Sequence, residues 1–150
     1  MTDKKKTEGM FGPIYQQFKN EPKKAIKFLR KVKKGECKDA LYRPETGYVD
    51  IVWGTGGEKG FGLCHIIEEH EAEIKQLGFE VEDFIPIIFS IGVFSENDTE
   101  QKIKLRGENY MLIIKTKWNN VDKRFLLSDF DLRPISKKNP KRIAKLKKGK

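Results

Sequence analysis

The apolar spacing of the chain changes near Gly92, and that change limits the fold more than any single residue does. Before it, apolar side chains recur at helical intervals. Ala25, Phe28, Leu29 and Val32 follow the Asn20-Glu21-Pro22 start, with Ile26 on the shoulder and Gly35 as a stop. Leu63, Ile66, Ile67, Ile74 and Leu77 form a second stripe ahead of Gly78, and a third helix is predicted over 81–91 with Pro86 inside it. After Gly92 the period becomes two, which predicts strands over 102–106, 110–118 and 124–130, with a short one at 93–94. Gly107-Glu-Asn and Trp118-Asn-Asn-Val-Asp supply the turns between them. One earlier strand is expected at 48–53, where Val49, Ile51 and Trp53 alternate with Tyr48, Asp50 and Val52. Helices first and a meander of strands last predict an α+β domain with an antiparallel sheet. A chain of 150 residues suits one such core, with 1–12 as a disordered lead, 13–135 as the domain and 136–150 as a basic tail.

Charge is segregated along the chain. Residues 1–40 carry a net +7, residues 41–135 a net −6 and residues 136–150 a net +8, which together give the formal charge of +9. Basic segments of this density attract polyanions, because neutralised phosphates release counterions. The helix predicted from Pro22 carries Lys23, Lys24, Lys27, Arg30, Lys31, Lys33 and Lys34 on its polar face. This basic helix and the tail are expected to supply affinity for RNA, with Lys23, Lys24, Lys27, Arg30 and Lys31 as its contacts. The longest apolar run, Phe84 to Phe94, falls well short of the roughly 20 residues of a membrane span. The opening Met-Thr-Asp-Lys-Lys-Lys has no apolar stretch behind it, so no secretory leader is expected. Two cysteines, Cys37 and Cys64, cannot build a disulfide framework. A cytoplasmic chain with no membrane partner is therefore expected.

Two tempting motifs fail on spacing. In the loop Gly54-Thr-Gly-Gly-Glu-Lys-Gly-Phe-Gly62, Lys59 is followed by Gly60 where a P-loop requires Ser or Thr, and it occupies the third glycine position of a dinucleotide fingerprint. A mobile surface loop is expected, from which Lys59 can swing over a substrate. His65 and His70 are five residues apart, whereas a helical zinc pair needs four. Neither a metal nor any other cofactor is expected.

The surviving constellation centres on His70, which lies in the middle of the second apolar stripe and is expected to open into a cleft between helix and sheet. His65 is expected to point nearly the opposite way, near Glu68 and Glu69. Only these two side chains titrate unperturbed near neutral pH, so proton transfer there falls to them. Lys102 and Arg106 alternate outward from Ile103 and Leu105, Lys115 follows Met111 and Ile113 on one strand face, and Ser128 places a hydroxyl at the end of an apolar run. Lys104 and Lys117 are read as ordinary solvated edge residues. An imidazole, a hydroxyl and cations over a sheet suit metal-free RNA cleavage, in which the histidine moves the proton and the cations hold the pentacoordinate phosphate.

Six segments, in order, carry a resemblance: Pro13-Ile-Tyr-Gln-Gln-Phe-Lys, Ala25-Ile-Lys-Phe-Leu, Ala40-Leu-Tyr, Gly47-Tyr-Val-Asp-Ile-Val-Trp-Gly54, Gly60-Phe-Gly-Leu-Cys-His-Ile, and Trp118-Asn-Asn-Val-Asp-Lys-Arg-Phe-Leu-Leu-Ser-Asp-Phe. Over about residues 12–131 the chain resembles the phage- and mobile-element-associated barnase–EndoU–colicin–RelE-type nucleases. The resemblance implies a metal-independent endoribonuclease fold, with N-terminal helices packed on a four-stranded antiparallel sheet that bears the active site. It matches His65 and His70 to the family's histidine positions, Lys102 and Lys115 to its basic strand positions, and Ser128 to its hydroxyl. Asp129 stands where the family has alanine, adding negative charge near a phosphate site.

The expected function is toxin-like cleavage of RNA, tRNA loops included, by attack of the ribose 2′-OH. His70 is the principal acid or base with His65 as its partner, Lys102, Lys115 and Ser128 hold the phosphate, and Lys59 and Arg106 join the basic helix in binding RNA. Which histidine is acid and which is base is open. An inhibitor of the antitoxin or immunity type is an expected partner, and the chain can be a module of a larger phage or toxin polypeptide. The rivals are a non-catalytic nucleic-acid-binding phage accessory module with the same fold, and a protein-interaction domain using the acidic belt Glu68, Glu69, Glu71 and Glu73. That belt is otherwise read as a solvated helix face.

Overall fold

The computed structural model describes residues 8–108 and 110–131. In chain order the elements are β1 (Glu8–Gly9), β2 (Gly12–Tyr15), α1 (Pro22–Val32), β3 (Glu36–Arg43), β4 (Gly47–Val52), α2 (Gly62–Gln76), α3 (Val81–Ile91), β5 (Val93–Asn97), β6 (Lys102–Arg106), β7 (Tyr110–Trp118) and β8 (Val121–Asp131). The lead expected over 1–12 thus contributes a strand, since Glu8 and Gly9 pair with Pro13 and Gly12. The basic tail at 136–150 lies outside the described residues.

Helix α1 forms where the proline sits at its first position, and the cap is Glu21 rather than Asn20, which takes a left-handed φ of 53°. Ala25, Ile26 and Leu29 are its buried stripe. Lys33, left-handed at φ 56°, closes the helix by donating its backbone N–H to Leu29 O at 2.8 Å. Gly35, at φ +85°, then brings the chain so close to Pro13 that a Cβ would strike the Pro13 carbonyl, so only glycine lets β3 lie beside β2 there.

The expected four-stranded antiparallel sheet under N-terminal helices is corrected. Eight strands run in the order β1-β2-β3-β4-β8-β7-β6-β5. The last four form the antiparallel meander that the period-two pattern predicts. The first four extend it through two parallel joints, β2 with β3 and β4 with β8, so the sheet is mixed. Helices and strands also interleave: α1 follows β1 and β2, and β3 and β4 precede α2 and α3. Strand β3 escapes an alternation test because its register shifts between Cys37 and Leu41, with Asp39 at φ 57°. A bulge there turns the burial pattern into pairs, two buried and then two outward.

One core joins the helices to one face of the sheet, where Ile26, Leu29, Leu63, Ile66, Ile74 and Ile85 meet Val49, Ile51, Ile103, Leu105, Leu112, Ile114 and Leu126. Strand residues alternate faces. Lys102, Lys104, Arg106, Ile113, Lys115 and Ser128, whose register places them between those core positions, therefore face away from the helices. A second aromatic cluster, Phe11, Phe61, Trp118 and Phe125, has ring centroids 5.0–6.2 Å apart. Among the described residues no helix is long and apolar enough to cross a membrane.

Candidate active site

Helix α2 begins against the end of β4 after the intervening loop 53–61. Gly62, at φ +81°, packs where a Cβ would lie 2.9 Å from the carbonyl oxygens of Val52 and Trp53, so glycine permits this close join. The loop between them folds back onto the helix instead of hanging free. Thr55 and Phe61 form an isolated bridge, and Gly57 N donates to Glu68 Oε1 at 3.0 Å. The mobile loop expected at 54–62 is thereby an ordered cover over the first turns of α2, from which Lys59 projects into solvent.

That cover changes the place of His65. Instead of pointing outward beside Glu68 and Glu69, the ring is buried, with Nδ1 2.7 Å from Gly57 O. A carbonyl only accepts, so Nδ1 carries the hydrogen, and in the neutral tautomer the lone pair is on Nε2. The two imidazoles, nearly opposite on an ideal helix, meet edge to face with centroids 5.9 Å apart and planes at 77°. Side-chain torsions close an angular gap that backbone periodicity alone predicts.

His70 sits between two carboxylates. Its Nδ1 is 3.2 Å from Glu73 Oε1, one turn along α2, and its Nε2 is 3.3 Å from Asp129 Oδ1 on β8. Burial works against the charged ring, but the Glu73 bond and the charges of Asp129, Glu73 and Glu69 outweigh it and hold the His70 pKa above its ordinary value. His65 and His70 thus have different partners, a carbonyl that fixes the tautomer of one and two carboxylates that favour a doubly protonated ring on the other.

The other expected site residues lie elsewhere. Lys102 and Lys115 are cross-strand partners on the sheet face away from the helices, and Lys115 Nζ donates to Glu100 O at 3.2 Å. Ser128 stands opposite Ile113 on that same face, whereas its neighbour Asp129, opposite Leu112, points toward His70. The structure therefore brings the two histidines together and the two lysines together, but sets the groups on opposite sides of the sheet. Arg106 is exposed on the lysine side. Lys104 and Lys117 are in exposed ion pairs with Glu100 and Asp122.

The basic face of α1 is partly neutralised. Lys23 pairs with Asp83 at 2.9 Å, Lys24 lies 3.9 Å from Glu21, and Arg30 bridges Glu71 at 2.8 Å and Glu82 at 3.8 Å. Arg30 therefore ties three helices together, while Lys27 and Lys31 remain exposed. The acidic belt is likewise no bare solvated face, since Glu68, Glu71 and Glu73 each hold a partner.

Sequence reasoning passed over a buried charge cluster. Lys123 on β8 bonds to Glu36 on β3 and, at 2.6 Å, to Asp50 on β4. Burial pushes the Glu36 carboxyl up although the Lys123 bond opposes it. Burial pulls Lys123 down, but its bonds to Asp50 and Glu36 dominate and raise it. Asp50 and Lys123 open onto a cavity of about 610 Å³ that Lys38, Tyr48, Lys117 and Arg124 also line. Lys123 and Glu36 are 87 residues apart, so no local spacing announces the pair. Glu73, three residues after His70, was within reach of helical spacing. Among the described residues no group of three or more His, Cys, Asp or Glu side chains is arranged to hold a metal ion.

Residues 40–133 match the family model described as phage-Barnase-EndoU-ColicinE5/D-RelE like nuclease1. No curated protein and no solved structure matches the chain.

Proposed function

The chain belongs to the phage-Barnase-EndoU-ColicinE5/D-RelE like nuclease family, and from that premise we propose that it is a metal-independent endoribonuclease with its proton-transfer site at the α2–β8 seam. The observation carrying the proposal is the histidine pair, two rings 5.9 Å apart, one with its tautomer fixed by a carbonyl and the other held between two carboxylates. In this reading His65 Nε2 takes the proton of the ribose 2′-OH, whose oxygen attacks the adjacent phosphorus. The new P–O2′ bond forms as the P–O5′ bond breaks, and His70 delivers its proton to the departing 5′ oxygen. The products are a 2′,3′-cyclic phosphate and a free 5′-hydroxyl. The reaction needs a 2′-OH, which makes RNA the substrate.

Edge-to-face contact leaves no room for a phosphate between the rings, so the strand must lie across their open edges. Lys102, Lys115 and Ser128 cannot touch the same phosphate from the far side of the sheet. Their part in this reading is to hold the RNA backbone away from the scissile bond, together with Arg106, Lys59 and the exposed lysines of α1. Toxin-like action in a cytoplasm and an inhibitor partner belong to the same proposal. One observation favours the rival, a non-catalytic RNA-binding module: both nitrogens of His70 already face carboxylates, as a structural latch would have them.

Incubation with mixed RNA in EDTA separates the two. Cleavage should persist and leave cyclic phosphate ends, His65→Ala or His70→Ala should slow it roughly 100-fold or more, and Lys102→Ala or Lys115→Ala should weaken binding mainly. Cleavage indifferent to both histidines, or dependent on added metal, would overturn the proposal. Salt-sensitive binding without cleavage would establish the binding module.

A further inference from the structure

Between the C-terminal end of α1, the β1–β2 turn and the loop after β4 lies a cavity of about 330 Å³. Its side-chain walls include Met10, Phe11, Lys33, Lys34, Trp53 and Phe61, and no carboxylate lines it. That volume is at the small end of the range for ligand pockets and suits one nucleoside. Trp53 is half-buried and also walls a neighbouring cavity of about 220 Å³, where Arg30 is found. Phe11 and Phe61 are tilted rings 5.5 Å apart.

The cations here differ from the rest of their helix. Lys23, Lys24 and Arg30 have acidic partners, whereas Lys33 and Lys34 are exposed and make no ion pair among the described residues. The cause is local. Lys33 is the left-handed cap of α1, so both lysines leave the helix at its end. Glu68 of α2 shares the neighbouring cavity with Lys33 but is bonded to Gly57 N, and Glu71 and Glu82 are taken by Arg30. Uncompensated ammonium groups beside an aromatic wall are the chemistry that single-stranded nucleic acid meets in its binding proteins: rings stack on the bases and cations hold the phosphates.

We propose that this cavity is a nucleotide subsite for single-stranded RNA, in which one unpaired base stacks on Trp53 and the adjoining phosphate rests on Lys33 and Lys34. The inference rests on the endoribonuclease reading and deepens it by naming where the substrate strand is gripped. The subsite also touches the proposed chemistry through the backbone. The segment Gly54–Phe61, which lines it, carries the Gly57 carbonyl that fixes His65, and Cys64 N donates to Trp53 O at 2.8 Å. A base seated between these walls cannot be paired, so duplex RNA is excluded from the subsite.

The test uses the full chain and a single-stranded, 2′-O-methylated oligoribonucleotide, which keeps bases and phosphates but offers no hydroxyl for attack. Affinity is read by anisotropy over a range of salt, and melting curves confirm folding. Trp53→Leu should weaken binding roughly tenfold without altering the salt slope, and Trp53→Phe should restore most of it. Lys33→Gln with Lys34→Gln should weaken binding and reduce the slope of log K against log salt by about 0.7, for the one phosphate no longer neutralised. Should Trp53→Leu fail to fold, the lysine pair and the indole N–H resonance of Trp53, one of two tryptophans in the chain, decide the matter. That resonance should move when the probe is added. Wild-type affinity in the lysine variant, or an unmoved Trp53 resonance on a bound probe, overturns the subsite and leaves the endoribonuclease reading standing. Failure of the wild-type chain to bind the probe at low salt overturns both.

Discussion

Replacing Lys123 by methionine should destabilise the fold more than any change on the basic helix. The lysine joins the first half of the sheet to the last at the parallel β4–β8 joint, through Glu36 and Asp50. At an effective dielectric near 20, unit charges 2.6 Å apart attract by roughly 6 kcal/mol. Each buried ion costs several kcal/mol to dehydrate, so the intact cluster is near balance. Lys123→Met removes the attraction and leaves two carboxylates, Glu36 at 1% exposure and Asp50 at 11%, facing one another. A loss of about 3–5 kcal/mol is expected at pH 7, or on the order of 10 °C in Tm for a chain of this size. The sign of its pH dependence follows from Glu36. Its folded pKa already lies above the ordinary 4.5, and loss of the lysine raises it further. The variant therefore regains stability as the pH falls through that raised value toward and below 4.5, while at neutral pH the penalty is complete. Urea denaturation at several pH values measures this, and Glu36→Leu added to Lys123→Met should recover much of the loss. A deficit under about 1 kcal/mol at pH 7, or one that does not shrink in acid, would refute the reasoning.

Three further outcomes are expected. Asp129→Asn should move the His70 titration, followed by NMR, to lower pH; the wild-type contribution of protonated His70 is complete below 6.5 and lost as pH rises through the raised folded value, and an unchanged midpoint would remove Asp129 from the account. Gly62→Ala, at φ +81° and with its Cβ 2.9 Å from two carbonyl oxygens, should cost on the order of 1–3 kcal/mol in thermal melting, so a neutral variant would contradict the tight β4–α2 join. Cys37 is buried and its thiol is pushed up to about 12 by burial and by the Asp50 and Glu36 charges. A thiol reagent should therefore modify Cys64 alone in the native chain and both cysteines in denaturant.

Much of the element plan was written in local pattern. The helix stripes, Pro22 and Gly35, and the period-two strands of β6, β7 and β8 each depend on neighbours a few residues away, so local spacing suffices to place them. The six segments that carry the resemblance lie along the chain in order, and they identified the nuclease family without any coordinates. Strand β3 was hidden because a bulge breaks the two-residue rhythm by which a strand is recognised. The two short N-terminal strands were hidden because their pairing, not their composition, makes them strands.

The site depended on distance through space. Helical angle set His65 and His70 apart, and only the folded loop and the chosen side-chain torsions bring their rings together. Adjacent residues Ser128 and Asp129 look alike in a linear reading, yet the sheet sends one toward the lysines and the other toward His70. Lys123 finds Glu36 across 87 residues because a parallel joint carries β8 beside β4. A sequence records which side chains can transfer protons or bear charge; which of them share a face is fixed by register and packing, and those are properties of the whole chain at once.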